Sequence, residues 1–281
     1  MTKTLINGIA AAYVSVADRG LNYGDGLFET IACIGLHPLF LEQHLQRMER
    51  GASVLDIPFP DTELFMHDID AVLRTSAEAR SVIKLLLTRG GSQRGYRYQA
   101  GQVATRICMG YPWPAHVAQW QRQGIRARFC RIPASINPHL AGIKSLNRLE
   151  NVLASAELGR EFDEGFLCDS AGHVVEGTMS NVFVVIDDTV VTPDLSRCGI
   201  AGIMRQLIID SADEIGIGIE IGQLCRDDLL NSEEIFISNS VIGLCVLKQL
   251  EQQRYDRHMT AEAIRSRLKT KILTCISHQA A

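Results

Sequence analysis

Lys144 stands in an unusual place for a lysine. It follows the loop Asn137-Pro138-His139-Leu140-Ala141-Gly142-Ile143 and precedes an apolar run in which Leu149, Val152, Leu153 and Ala156 recur at i, i+3, i+4 and i+7. That period predicts a helix over 145–160 with an apolar inner face. A lysine at the mouth of such a helix, next to buried surface, is costly unless its pKa falls or its nitrogen is bound covalently. Those are the conditions of a lysine that forms a Schiff base with a carbonyl compound. A lysine whose stem snorkels along the protein and whose head stays in water has the same surroundings in sequence. The companions of Lys144 decide between the two.

The stretch His173-Val174-Val175-Glu176-Gly177-Thr178-Met179-Ser180-Asn181-Val182-Phe183 puts Glu176, thirty-two residues after Lys144, at the end of one strand and Asn181 at the start of the next. A carboxylate at a strand end points into a cleft as readily as into water. In a cleft its work would be to keep the pyridine nitrogen of pyridoxal phosphate protonated, which makes the ring an electron sink. Gly199-Ile200-Ala201-Gly202-Ile203-Met204-Arg205 leads into a predicted helix, and the first N–H groups and dipole of a helix suit an anion. Ile237-Ser238-Asn239-Ser240, small polar residues after an apolar strand, is a second candidate cradle. Arg47, in His44-Leu45-Gln46-Arg47, would add a charge-assisted bond to a phosphate. Singly, Glu176 reads as a surface acid, Arg47 as a solvated helix residue and the glycines as an ordinary helix start.

These residues need elements to hold them. Leu5-Ile6-Asn7-Gly8-Ile9 predicts a hairpin through an Asn-Gly turn. Tyr23-Gly24-Asp25-Gly26 breaks the chain before a strand over 27–34. After Pro38 a helix carries Leu41, Leu45, Met48 and Ala52 on one face. A second helix follows Asp61 as N-cap, with Leu64, Phe65, Val72 and Leu73 inward. Residues 81–88 read as a buried strand, 89–102 as a loop rich in glycine and arginine, and 103–110 as a returning strand. Tyr111-Pro112-Trp113-Pro114 interrupts any regular element. The expected organisation is a small α+β domain over 1–110, a linker over 111–124 and a larger domain over 125–281. In the larger domain strands are expected at 125–132, 165–169, 173–175, 181–186, 189–192, 217–221, 234–238 and 243–248. Helices are expected there at 145–160, 202–215 and 260–274. The class is α+β.

Composition narrows the function. The 281 residues are 46% hydrophobic, enough for a large core and two lobes. The net charge is −4 with no basic face, so nucleic acid is not an expected partner. No run reaches the roughly 18 apolar residues of a membrane span, and Met1-Thr2-Lys3-Thr4-Leu5 lacks a signal-peptide run. Eight cysteines without a Cys-x-x-Cys pair fit reduced thiols in the cytoplasm. His and Cys never cluster at zinc-ligand spacing, so no metal is expected.

Together the motifs resemble the fold type IV pyridoxal phosphate enzymes, which include branched-chain and D-amino acid aminotransferases and aminodeoxychorismate lyases. The matches run in order: Asp18-Arg19-Gly20, Tyr23-Gly24-Asp25-Gly26, Phe28-Glu29, His44 to Arg47, Thr88-Arg89-Gly90, Lys144, Glu176-Gly177 with Ser180-Asn181, Gly202-Ile203 with Arg205, and Ser238 to Ser240. The resemblance implies pyridoxal 5′-phosphate as cofactor, with Lys144 as the Schiff-base lysine and Glu176 on the pyridine nitrogen. It implies that Arg47, the backbone of Ile203 and Met204, and Ser240 hold the phosphate, with Asn181 and Asn239 beside them. The implied fold is a small α+β lobe and a larger lobe with a barrel-like sheet, with the cofactor between them, in a homodimer.

Within the family, Asn137 to Asn151, with Arg89-Gly90-Gly91-Ser92-Gln93-Arg94-Gly95-Tyr96 and Ala104-Thr105-Arg106-Ile107, is most similar to the lyase branch. D-amino acid aminotransferases carry a tyrosine where this chain has Phe28 and a histidine where it has Tyr96, so part of their carboxylate trap is missing. The lyase branch implies 4-amino-4-deoxychorismate as substrate, elimination of pyruvate, and 4-aminobenzoate as product. Arg94 and Arg148, then Arg97 and Arg106, are the candidates for its carboxylates, since guanidinium pairs with carboxylate in two parallel bonds. Tyr96 and Thr30 are further substrate candidates. The plainer readings are a solvated loop residue for Arg97, a strand-surface charge for Arg106, an ordinary strand residue for Thr30, and a salt bridge to Glu150 or Glu157 for Arg148. An aminotransferase of the same fold is the alternative activity.

Overall fold

A computed structural model describes residues 4–76, 78–99 and 101–279. The reading of Met1-Thr2-Lys3 lies outside the described residues. The chain divides into two units. The first takes the described residues of Met1–Trp113, Ile143–Asn147 and Cys275–Ala281; the second takes Pro114–Gly142 and Arg148–Thr274.

The first unit holds β1 (Thr4–Ile6), β2 (Ile9–Ala10), α1 (Arg19–Tyr23), β3 (Gly26–Ile34), β4 (His37–Pro38), α2 (Leu41–Leu55), α3 (Thr62–Leu73), β5 (Arg80–Thr88) and β6 (Thr105–Pro112). Its strands form one antiparallel sheet in the order β2-β1-β6-β5-β3-β4. The β1–β2 turn is the expected one: Asn7 and Gly8 both take positive φ, which a two-residue hairpin demands. Period-two alternation sends Leu27, Glu29, Ile31, Ile83, Leu85 and Leu87 to the buried face, where α2 and α3 cover the sheet. Asp61 caps α3 by accepting from Glu63 N. Leu64, expected inward, is 47% exposed, and Ile69 with Asp68 takes the inner face instead. Residues 143–147, expected as the start of a helix, are not helical. Ser145 bridges Leu27, Lys144 O accepts from Phe28 N (3.0 Å) and Leu146 N donates to Gly26 O (2.9 Å). The segment completes the hydrogen bonding of β3 where β4 does not reach.

The second unit holds α4 (Val117–Gln123), β7 (Ile125–Phe129), α5 (Leu149–Ala156), β8 (Glu164–Cys168), β9 (Val174–Gly177), β10 (Asn181–Ile186), β11 (Thr189–Pro193), α6 (Ile203–Glu214), β12 (Ile219–Gly222), α7 (Arg226–Asn231), β13 (Glu234–Asn239), β14 (Gly243–Leu250), β15 (Gln253–Arg254) and most of α8 (Met259–Gln279). Its sheet runs β12-β11-β10-β13-β14-β7-β8-β9, with β15 on β14. The sheet curls, so that β9 at one end packs back against β10 and β11. Phe183 and Phe236 stack at its centre, 5.0 Å apart. α4 lies within the stretch expected as linker and packs on β14. α5 begins four residues later than its apolar period suggests, and that period faces out: Leu149, Val152 and Leu153 are 78%, 62% and 55% exposed.

Candidate active site

In the first unit the chemistry collects around Lys144. The segment that carries it is bonded to β3 through Phe28 N and Gly26 O, so its backbone is fixed while its side chain stays half-buried. Its Nζ lies 4.3 Å from the centroid of the Phe28 ring. Phe28 and Thr30 share one face of β3, and Lys84 on β5 stands directly opposite Thr30. Lys84 Nζ is 5.3 Å from the same Phe28 ring. This second cation was not found from the sequence, although a lysine inside the run Ser81-Val82-Ile83-Lys84-Leu85-Leu86 was a signal.

The opposite face of β3 holds a buried charged group. Glu29 is fully buried and takes Arg47 in two bonds, Nε to Oε1 (2.7 Å) and a terminal nitrogen to Oε2 (2.5 Å). His44 Nδ1 meets Oε2 at 2.6 Å. Burial pushes the Glu29 carboxyl up, but the Arg47 charge, then His44, outweighs it and brings it down to about 2. Burial lowers the His44 pKa, aided by Arg47 and Lys144 and opposed by Glu29. Arg47 is thus oriented from below by Glu29, a partner that the sequence reading did not assign.

The remaining arginines diverge. Arg106 does not join the Phe28 face. It pairs with Leu87 on the buried side of the sheet, and its Nε donates to Asp68 Oδ2 at 2.6 Å under α3. Arg19 and Arg89 are likewise buried, both bonded to Asp25, and Arg19 also donates to Gly95 O and Tyr96 O. Arg94, Tyr96 and Arg97 lie exposed on the loop that Arg19 anchors, with the Tyr96 ring 5.4 Å from Tyr23.

In the second unit Glu176 and Asn181 act as a pair. Glu176 Oε2 accepts from Ile200 N (2.8 Å), and Asn181 Nδ2 donates to Ile200 O (2.9 Å). Ile200 is held at both backbone groups, which fixes the approach to α6. Gly202 is the N-cap of α6, and no side chain caps the helix. An added Cβ there would fall on Asn181 Oδ1, so only glycine fits. The helix therefore presents the backbone of Ile203 and Met204 at its start. Ser238 Oγ is buried without a hydrogen-bond partner among the described residues. Ser240 is half-buried in the β13–β14 turn. Asn239 has other duties: its Oδ1 accepts from Val241 N and Ile242 N, and its Nδ2 donates to Met179 O. Arg205 turns inward to Thr192 Oγ1 and Pro193 O. Arg148 is the half-buried N-cap residue of α5, not a residue of its first turn. Glu150 and Glu157 direct their carboxylates at the backbone of Ser135 and of Arg131 and Ile132. Among the described residues no group of His, Cys, Asp and Glu is arranged to hold a metal ion.

A six-stranded antiparallel sheet with a fixed lysine, and a curled sheet with a glycine-capped helix beside a buried carboxylate, define a class. Residues 26–250 match the amino-transferase class IV family model, and the chain belongs to that family. Among its relatives, an aminodeoxychorismate lyase of Vibrio harveyi is 34% identical over 85% of this chain and 88% of its own. The crystal structure of 4-amino-4-deoxychorismate lyase from Pseudomonas aeruginosa superposes with a TM-score of 0.89 at 38% identity, covering 95% of this chain and 98% of that one. The branched-chain-amino-acid aminotransferase of Escherichia coli strain K12 is 28% identical over 85% of this chain and 81% of its own.

Proposed function

We propose that this chain is a pyridoxal 5′-phosphate enzyme that eliminates pyruvate from 4-amino-4-deoxychorismate and releases 4-aminobenzoate. The observation that carries the reading is Lys144, half-buried against Phe28, with its carbonyl accepting from Phe28 N on β3. The lyases of Vibrio harveyi and Pseudomonas aeruginosa, at 34% and 38% identity, support the reading.

The residues present fit the cofactor. Lys144 supplies the amine for a covalent bond. Glu176 supplies a buried acceptor for a protonated ring nitrogen. The glycine-capped start of α6, the unpartnered Ser238 Oγ and the neighbouring Ser240 supply donors for a phosphate, and Arg47 supplies charge. Asn181 holds the loop leading to α6. The bound cofactor supplies an electron sink for the carbon next to the substrate nitrogen. Lys144 Nζ, displaced when the substrate's amine takes its place, would take the proton from C4 of the substrate. The C3–O bond would then break, the ring would become aromatic, and the departing enolpyruvate would take up that proton and leave as pyruvate. Thr30, with Arg94, Arg97, Tyr96 and Arg148, is assigned to the substrate; Arg106 is not, because Asp68 occupies it.

We also assign the protein a homodimer and a reducing compartment. The outward apolar face of α5, with Tyr13 and Val16 at 89% and 85% exposure, supports an interface with a second copy. No disulfide joins cysteines among the described residues. Incubation with 4-amino-4-deoxychorismate tests the activity. The expected result is 4-aminobenzoate and pyruvate in equal amounts. Conversion of D-alanine or a branched-chain amino acid to its keto acid, with no 4-aminobenzoate, would replace this reading with an aminotransferase.

A further inference from the structure

Under the turn that joins Glu176 to Asn181 lies a carboxylate with no assigned role. Glu164 opens β8, and its side chain is wholly buried. Its Oε1 accepts from Gly165 N (2.8 Å), Thr178 N (2.8 Å) and Thr178 Oγ1 (2.5 Å). Its Oε2 accepts from Ser180 Oγ (2.7 Å). Two of these groups are side chains in the turn itself, and a third is the turn's backbone. A Cβ on Gly177 would come within 2.8 Å of the Glu164 carboxyl carbon, so the turn sits directly on it. From the other side Asn151 Nδ2 donates to Thr178 O (3.1 Å) and Asn239 Nδ2 to Met179 O (3.1 Å).

A carboxylate wholly withdrawn from water is a costly way to brace a turn. A Gln or Thr would satisfy one or two donors; only a carboxylate accepts four at once. Burial pushes this carboxyl above its ordinary range, so the four donors are what favour its charged form. The turn so held carries Glu176 at one end and Asn181 at the other. Those two side chains grip Ile200 by its N–H and its carbonyl, and two residues later Gly202 caps α6.

We propose that Glu164 is a positioning residue that sets Glu176 and the start of α6 in register with each other, through the 177–180 turn. The proposal rests on the reading of Glu176 and α6 as the cofactor's ring-nitrogen and phosphate contacts. The charge of Glu164 never meets the cofactor. It acts by fixing where two groups of opposite demand stand: an acceptor for a protonated nitrogen and a row of donors for a phosphate. An error of about 1 Å in either is enough to lose much of a preorganised site's effect.

The test uses the full chain with pyridoxal 5′-phosphate. Glu164→Gln keeps the volume of the side chain but places an amide donor against Thr178 or Ser180. Ser180→Ala removes one donor and guards against a variant that fails to fold. Expected are a rise of at least tenfold in the cofactor's dissociation constant for Glu164→Gln and a smaller rise for Ser180→Ala. Both should also move the pH titration of the bound cofactor's absorbance, which a general loss of stability does not do. A lowered thermal midpoint with unchanged affinity and titration in both variants would overturn the proposal and leave Glu164 a structural brace. Glu176→Gln serves as the control for the underlying reading. If it leaves the titration alone, the assignment of Glu176 fails; a tenfold loss of affinity in Glu164→Gln then still ties Glu164 to the α6 cradle, and no loss refutes that too.

Discussion

Glu29 and Arg106 show how the same residue types divide between site and scaffold. Each sits in a strand, buried, in a close pair with an opposite charge. Arg106 was a substrate candidate from sequence because a guanidinium pairs with a carboxylate in two bonds and residues 104–107 resemble the lyase branch. Its direction depends on strand parity, and parity is set by pairing with Leu87, which the sequence does not display. Lys144 was legible because its flanks are unusual for a lysine. Glu164 and Lys84 were passed over, since a single charge in an apolar strand carries no partner with it. The Glu29 pair predicts a pH effect. Its folded carboxyl is lowered to about 2 from an ordinary 4.5. The stabilisation is therefore complete above the ordinary value and is lost as pH falls through the window toward 2. It is on the order of 3 kcal/mol. Denaturant unfolding of the wild type should weaken steeply with acid across that window, by up to one linked proton more than Glu29→Gln. Parallel pH slopes for the two proteins would show that Glu29 is not held ionised.

At the scale of elements, α5 is the instructive failure. Its apolar period was read as an inward face and as a helix that begins near Ser145. The first turn is absent because β3 needs hydrogen-bond partners at Gly26 and Phe28, and the Lys144 segment supplies them in extended form. The inner face belongs instead to Asn151 and Ala154, leaving Leu149, Val152 and Leu153 outside. Periodicity reports that a helix has an apolar side; it does not say which chain covers it. A second copy is the cover assigned here. Val152→Glu with Leu153→Glu should halve the molar mass seen by light scattering at micromolar concentration, with little change in circular dichroism. A mass that does not change, or a wild type already monomeric, would remove α5 from the interface.

Across the whole molecule, the elements that matched expectation are those with strong local signals: the Asn7-Gly8 hairpin, the Asp61 cap, and the strands at 27–34, 81–88, 181–186 and 189–192. What sequence did not display is long-range order, such as the curl of the nine-stranded sheet and the return of residues 143–147 to the first unit. Those depend on pairings between segments far apart, for which neighbouring residues carry no code. The family resemblance implied the barrel-like sheet, but not the return of residues 143–147, which were expected in the larger domain. The central claim reduces to one nitrogen. Borohydride reduction of the protein with pyridoxal 5′-phosphate, followed by peptide mapping, should place the label on Lys144 in the wild type and remove it in Lys144→Ala. Lys84 faces the same Phe28 ring and is the natural rival. A label on Lys84 or any other lysine in the wild type would contradict the account.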